Sequence, residues 1–102
     1  MQLDLRQLEY LLAAIKSESY SIAAKELFVT PQAISKAIIS LEKETKHVLM
    51  KRDGNSMRPT EFALEFLPEI EDVVGRYHAL EQALLARKDA PSYDQIKKKT
   101  DI

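Results

Sequence analysis

Gln32, Ser35, Lys36, Ile39, Ser40 and Lys43 fall on the polar side of one apolar-periodic segment. Their side chains suit the parts of a nucleic acid. Gln and Ser hydrogen-bond base edges, Lys reaches phosphate or guanine, and an Ile methyl can touch the methyl of thymine. Thr30 and Pro31 stand just before them. A second group, Lys51, Arg52 and Arg58, flanks a turn-forming stretch and offers positive charge to a phosphate backbone. The plain alternative for both groups is a solvated helix face beside solvated loop charges. Nothing in the chain is arranged for catalysis. There is no cysteine, no Gly-rich phosphate loop, no metal-ligand cluster and no nucleophile–base pair, and His47 and His78 lie far apart. The chain is expected to be no enzyme and to need neither metal nor cofactor.

Two helices separated by a short break must position the first group. Over Ser19 to Glu42 the first helix carries Ile22, Ala23, Ala24, Leu27 and Phe28. The second carries Ile34, Ile38 and Leu41, whose spacing of four then three stacks them on one face. Thr30 is the expected cap of the second helix, and Pro31 fits its first turn, where a missing N–H costs nothing. Ala23 and Ala24 are small enough for the second helix to cross closely. This is the pattern of a helix-turn-helix, whose second helix lies in the DNA major groove. It is equally the pattern of a plain helical hairpin.

Scaffold surrounds the pair. Asp4 to Ser17 reads as an amphipathic helix, with Asp4 as cap, Gln7 reaching back, and Leu5, Leu8, Leu11, Leu12 and Ile15 as its apolar stripe. Either Ser19 or Ser21 caps the next helix. After Glu42, Val48 to Arg52 is a strand candidate, Asp53-Gly54-Asn55-Ser56 a turn, and Met57-Arg58-Pro59 the returning edge strand. Such a hairpin after the third helix is a wing. Thr60 to about Lys88 reads as one long helix capped by Thr60. Ala63, Phe66, Ile70, Val73, Tyr77, Leu80 and Leu84 form a heptad seam along it. At ~1.5 Å per residue it is ~40 Å long, more than a small domain covers. The seam therefore predicts a homodimer, and its alternative is a helix folded back on its own domain. Pro68 predicts a kink and Gly75 a second soft spot. Residues 90–102, with Pro91 and the Lys97-Lys98-Lys99 run, read as a polar, poorly ordered tail. The organisation is thus 1–59 head, 60–89 dimerisation helix, 90–102 tail.

The 102 residues carry a net charge of −1, but unevenly. Residues 31–60 have a net charge of +3 and residues 61–90 one of −4, an asymmetry that steers a polyanion to one face. The start Met-Gln-Leu-Asp is no signal peptide, and no apolar run approaches the ~20 residues that span a bilayer. A soluble, cytoplasmic protein without a membrane partner is expected.

The order AAKELFVTPQAISKAIISLE, LMKR, RPTEFALEFLP resembles the N-terminal winged helix-turn-helix of LysR-type transcriptional regulators over about residues 3–88. The likeness is most specific at Ala23-Ala24, Leu27, Ala33-Ile34-Ser35-Lys36, Ile38, Leu41-Glu42, Arg52 and Thr60-Glu61. It implies a mainly α fold of three helices, a β-hairpin wing and a long dimerising helix. It implies that Thr30, Pro31, Gln32, Ser35 and Lys36 meet promoter DNA and that Arg52 touches its backbone. The family usually has Gly at Glu18, Leu-Gly at Thr45-Lys46 and Phe at Met50. The missing Gly at Lys46 predicts a distorted approach to the wing, and Met50 fills space less rigidly than Phe. Family members also carry a large C-terminal domain that binds a small effector, and nothing here can be that domain or hold that ligand. Two readings remain: a dimeric, sequence-specific DNA-binding regulator, or a dimeric interaction module that binds a protein partner instead of DNA.

Overall fold

Four oxygen-bearing side chains decide where the first helices and the long one begin. The computed structural model describes residues 1–89 and 91–100. Asp4 opens α1 (Leu5–Ser17) with a complete capping box. Its Oδ1 accepts from the Arg6 N–H at 2.8 Å, while Gln7 Oε1 accepts from the Asp4 N–H at 3.4 Å. Ser19, not Ser21, caps α2 (Tyr20–Leu27) by accepting from the Ile22 N–H at 3.1 Å. Thr30 caps α3 (Pro31–Thr45) through the Ala33 N–H at 3.1 Å, with Pro31 in the first turn. Thr60 caps α4 (Glu61–Ala86) through the Ala63 N–H at 3.2 Å.

The core lies where α1, α2 and α3 meet the start of α4. Leu11, Ile34, Ile38 and Leu41 are its largest fully buried side chains, and Ala23 and Ala24 lie buried against them. α2 and α3 pack against each other in this cluster. The expected α2 face holds only in part. Ile22 is half exposed and Phe28 is 94% exposed. The helix stops at Leu27. Phe28 follows in the left-handed conformation, φ 58°, so the helical period no longer fixes where its ring points.

The wing is an antiparallel hairpin of β1 (Met50–Asp53) and β2 (Ser56–Pro59), closed at Gly54-Asn55. Lys51 stands opposite Arg58 and Arg52 opposite Met57. Gly54 has a φ of 62°, the geometry for which glycine is suited. The approach to the wing is not distorted by the absence of glycine at Lys46. Lys46 itself adopts φ 62°, and its N–H closes α3 on the Glu42 carbonyl. The turn survives at the strain of a side chain in the left-handed region, roughly 1–2 kcal/mol. Glu42 then fastens the next segment, its Oε2 accepting from the Leu49 N–H at 2.7 Å and the Met50 N–H at 3.3 Å.

α4 is one unbroken helix across Pro68 and Gly75. Its first half packs on its own core through Phe62, Ala63, Leu67 and Ile70, and Val74 is also buried. Lys16 and Glu71 (3.7 Å) and Glu9 and His78 (3.2 Å) tie α1 to it further along. The second half projects. The radius of gyration is 17.7 Å, against about 13 Å for a compact chain of this length, and the long axis is 59 Å.

The tail differs from its sequence reading. Residues Tyr93–Thr100 form a short helix, α5. Ser92 opens it as a capping box: the Gln95 N–H donates to Ser92 Oγ (3.3 Å) and the Ser92 N–H to Gln95 Oε1 (3.0 Å). Ala90, Asp101 and Ile102, also assigned to that tail, lie outside the described residues.

Candidate nucleic-acid interface

The core face of α3 fixes its opposite face by rotation alone. With Ile34, Ile38 and Leu41 inward, steps of roughly 100° turn Gln32, Lys36, Ile39 and Lys43 outward. All four are exposed, Ile39 by 48%. Ser35 is half-buried on the flank. Thr30 and Pro31 are exposed at the N-terminus. That terminus has no carboxylate in its first turn, so its dipole is open to an anion.

Ser40 must be corrected. It lies about 120° from the core direction on the other flank, where Gln7 Nε2 donates to its Oγ at 3.1 Å. It faces α1 and not the outer surface.

Arg58 is also not the free cation that its sequence suggests. Its Nη1 lies 3.1 Å from Glu18 Oε2 and its Nε 3.1 Å from Asp53 Oδ2. By contrast, Lys36, Lys43, Lys51 and Arg52 make no ion pair among the described residues. Arg52 shares a strand face with Met50 and Met57, over the core, and keeps its head exposed. It is within electrostatic reach of Tyr20. Burial first, then the Glu42 carboxylate, pushes that phenol above its ordinary range, and Arg52 opposes both.

The heptad seam on α4 divides in two. Ala63 is 1% exposed inside the protomer's own core, so its place in an intermolecular seam is a correction. Ile70 is half-buried against the same core. Phe66, Val73, Tyr77, Leu80 and Leu84 remain exposed, by 36% to 66%, along the adjoining stripe. That stripe borders an open apolar groove of about 530 Å³, where Leu3 and Leu8 face Phe62, Phe66, Ile70 and Val73. His47 stacks on Phe62 beside it, ring centres 4.0 Å apart.

Sequence reasoning missed the two carboxylates that hold the wing, Glu42 and Glu18. Both signals are three-dimensional, since their partners stand 7 to 8 residues away for Glu42 and on another element for Glu18.

Comparison with known proteins decides the family. The profile of the bacterial regulatory helix-turn-helix proteins of the lysR family matches residues 5–64. The chain belongs to the lysR family. A virulence genes transcriptional activator of Salmonella typhimurium is similar to this LysR-type domain, 32% identical over 79 residues. That match covers 78% of the chain and 27% of the activator. The HTH-type transcriptional regulator YxjO of Bacillus subtilis is also 32% identical, over 80 residues, with 78% and 28% covered. The LysR-type chain thus spans about a quarter of the length of the curated relatives it matches. Among solved structures, the DNA-binding domain of CbnR in complex with DNA superposes with a TM-score of 0.68 at 26% identity. It covers 81% of this chain and 99% of that one. Oxidized OxyR of Corynebacterium glutamicum shares the fold, with a TM-score of 0.79 at 18% identity over 82% of this chain and 27% of its own. No helix among the described residues is long and apolar enough to cross a membrane.

Proposed function

We propose that this LysR-type domain binds duplex DNA as a homodimer and serves transcriptional regulation in the cytoplasm, by binding and not by catalysis. Residues 1–59 are the DNA-binding head, and 60–89 the pairing arm. α3 enters the major groove. Gln32 and Ser35 meet base edges there, Ile39 a thymine methyl, Lys36 and Lys43 the phosphates, with Thr30 and Pro31 at the point of approach. Lys51 and Arg52 take the backbone beside the wing. The observation that carries this reading is the outer face of α3: exposed, polar, and bearing lysines that make no ion pair among the described residues, in a chain of this family. CbnR, solved with DNA, supports the same assignment by its likeness.

The arm's partner is a second copy. Phe66 and Val73 lie beside the protomer's own core and Tyr77, Leu80 and Leu84 carry the apolar stripe past it, next to an apolar groove on the same side. A twofold axis lets the stripe of each copy meet that of the other. Selection of bound sequences from a random duplex pool tests both parts. A twofold-symmetric motif is expected. Failure to enrich any motif, with no gel shift at low salt, would remove the DNA reading in favour of a protein-binding module.

A further inference from the structure

Glu18 is an unusual residue for its place. It ends α1 at φ 54°, in the left-handed region that disfavours a side chain. It nevertheless makes two contacts with the returning wing strand. Its carbonyl accepts from the Met57 N–H at 3.0 Å, and its carboxylate meets Arg58 Nη1 at 3.1 Å. Arg58 has a second carboxylate in Asp53 and a like charge directly across the hairpin in Lys51. Asp53 stands on the same hairpin as Arg58, whereas Glu18 closes α1. Among the described residues, only Glu18 therefore ties the guanidinium to a part of the fold outside the hairpin.

We infer that Glu18 tunes the wing's grip on DNA by withholding Arg58 from the phosphate backbone. This rests on the DNA-binding reading above. The Glu18 carboxylate holds one outer nitrogen of Arg58, Nη1, and leaves Lys51 and Arg52 as the cations of the wing that face phosphate. Arg58 is 57% exposed, so it is held by charge and not by burial. Removal of the Glu18 charge leaves the guanidinium with one carboxylate, at Nε, and frees Nη1 for a phosphate. Each phosphate neutralised adds about 0.9 to the slope of log affinity against log salt. One extra contact is therefore an additional loss of about 3.5-fold between about 50 and 200 mM salt.

The test is fluorescence anisotropy with a random-sequence duplex, over that salt range, for the unaltered chain, Glu18→Gln, Arg58→Ala and the double variant. Glu18→Gln is expected to bind more tightly at low salt and to steepen the slope by about 0.9. The same change made in the Arg58→Ala background is expected to leave the slope where it was, because there is no guanidinium to release. An equal effect in both backgrounds would mean general relief of repulsion, and the inference falls. An unchanged slope in Glu18→Gln overturns it too. No binding by the unaltered chain at low salt removes the DNA reading itself and this inference with it.

Discussion

Leu80→Ala separates pairing of the arm from folding of the head. Leu80 is 57% exposed in the single chain, beyond the part of α4 that packs on the core. Full burial of a leucine side chain is worth about 1.5–3 kcal/mol, so burial of the remainder contributes roughly half of that. A twofold axis uses the residue twice. Truncation should then weaken the dimer by about 1.5–3 kcal/mol, a rise in dissociation constant of roughly 12- to 140-fold. The thermal midpoint of the protomer under monomeric conditions should hardly move, because Leu80 is not part of its core. Leu64→Ala is the control. Leu64 is 47% exposed but lies on the opposite flank of α4, off the stripe. Sedimentation equilibrium across a dilution series reads all three proteins. Identical dissociation constants for Leu80→Ala and the unaltered chain would refute the stripe as an interface. So would an unaltered chain that stays monomeric at hundreds of micromolar.

Lys36→Ala should weaken binding to any duplex and lower the salt slope by about 0.9, because one phosphate contact is lost; a titration at three salt concentrations decides it, and an unchanged slope takes Lys36 out of the interface. Gln32→Ala should alter base preference at one position of the bound motif by about 1–3 kcal/mol, read by repeating the selection with the variant; an identical motif means that Gln32 reads no base. Lys46→Gly should stabilise the domain by about 1 kcal/mol, because the left-handed turn no longer strains a side chain, a gain tempered by the freer unfolded chain. For a chain of this size that is roughly 4–8 °C in thermal midpoint, and a lower midpoint would contradict the strain assigned to φ 62°.

What the sequence disclosed were local rules. Asp4, Ser19, Thr30 and Thr60 are oxygen-bearing side chains ahead of apolar periods, and each caps the helix that follows. The wing turn was readable because Asp53-Gly54-Asn55-Ser56 has few other conformations to choose from. Periodicity also places Ile34, Ile38 and Leu41 inward. It cannot say what lies on each flank. Ser40 counts as outward until α1 is known to bring Gln7 against it. The α4 seam shows the same limit: Ala63 and Leu80 obey one heptad, yet one is buried by its own protomer and the other is exposed. Phe28 is apolar and in step, but a left-handed residue after the last helical turn escapes the period. Arg58 looked free because its partner Glu18 is 40 positions away in the chain. The capping box at Ser92 was overlooked beneath a polar, aperiodic composition.

Thr60 joins two parts that would otherwise be separate. Its N–H donates to the Leu49 carbonyl at 3.0 Å and its hydroxyl to the Val48 carbonyl at 2.8 Å, while the same oxygen begins α4. The base of the hairpin and the root of the arm are therefore one mechanical joint. A torque that swings the arm as two subunits settle together is delivered straight to the hairpin, and a hairpin displaced by the sugar-phosphate rail pushes back on the arm. In the assembly proposed here, coming together and holding on are a single motion.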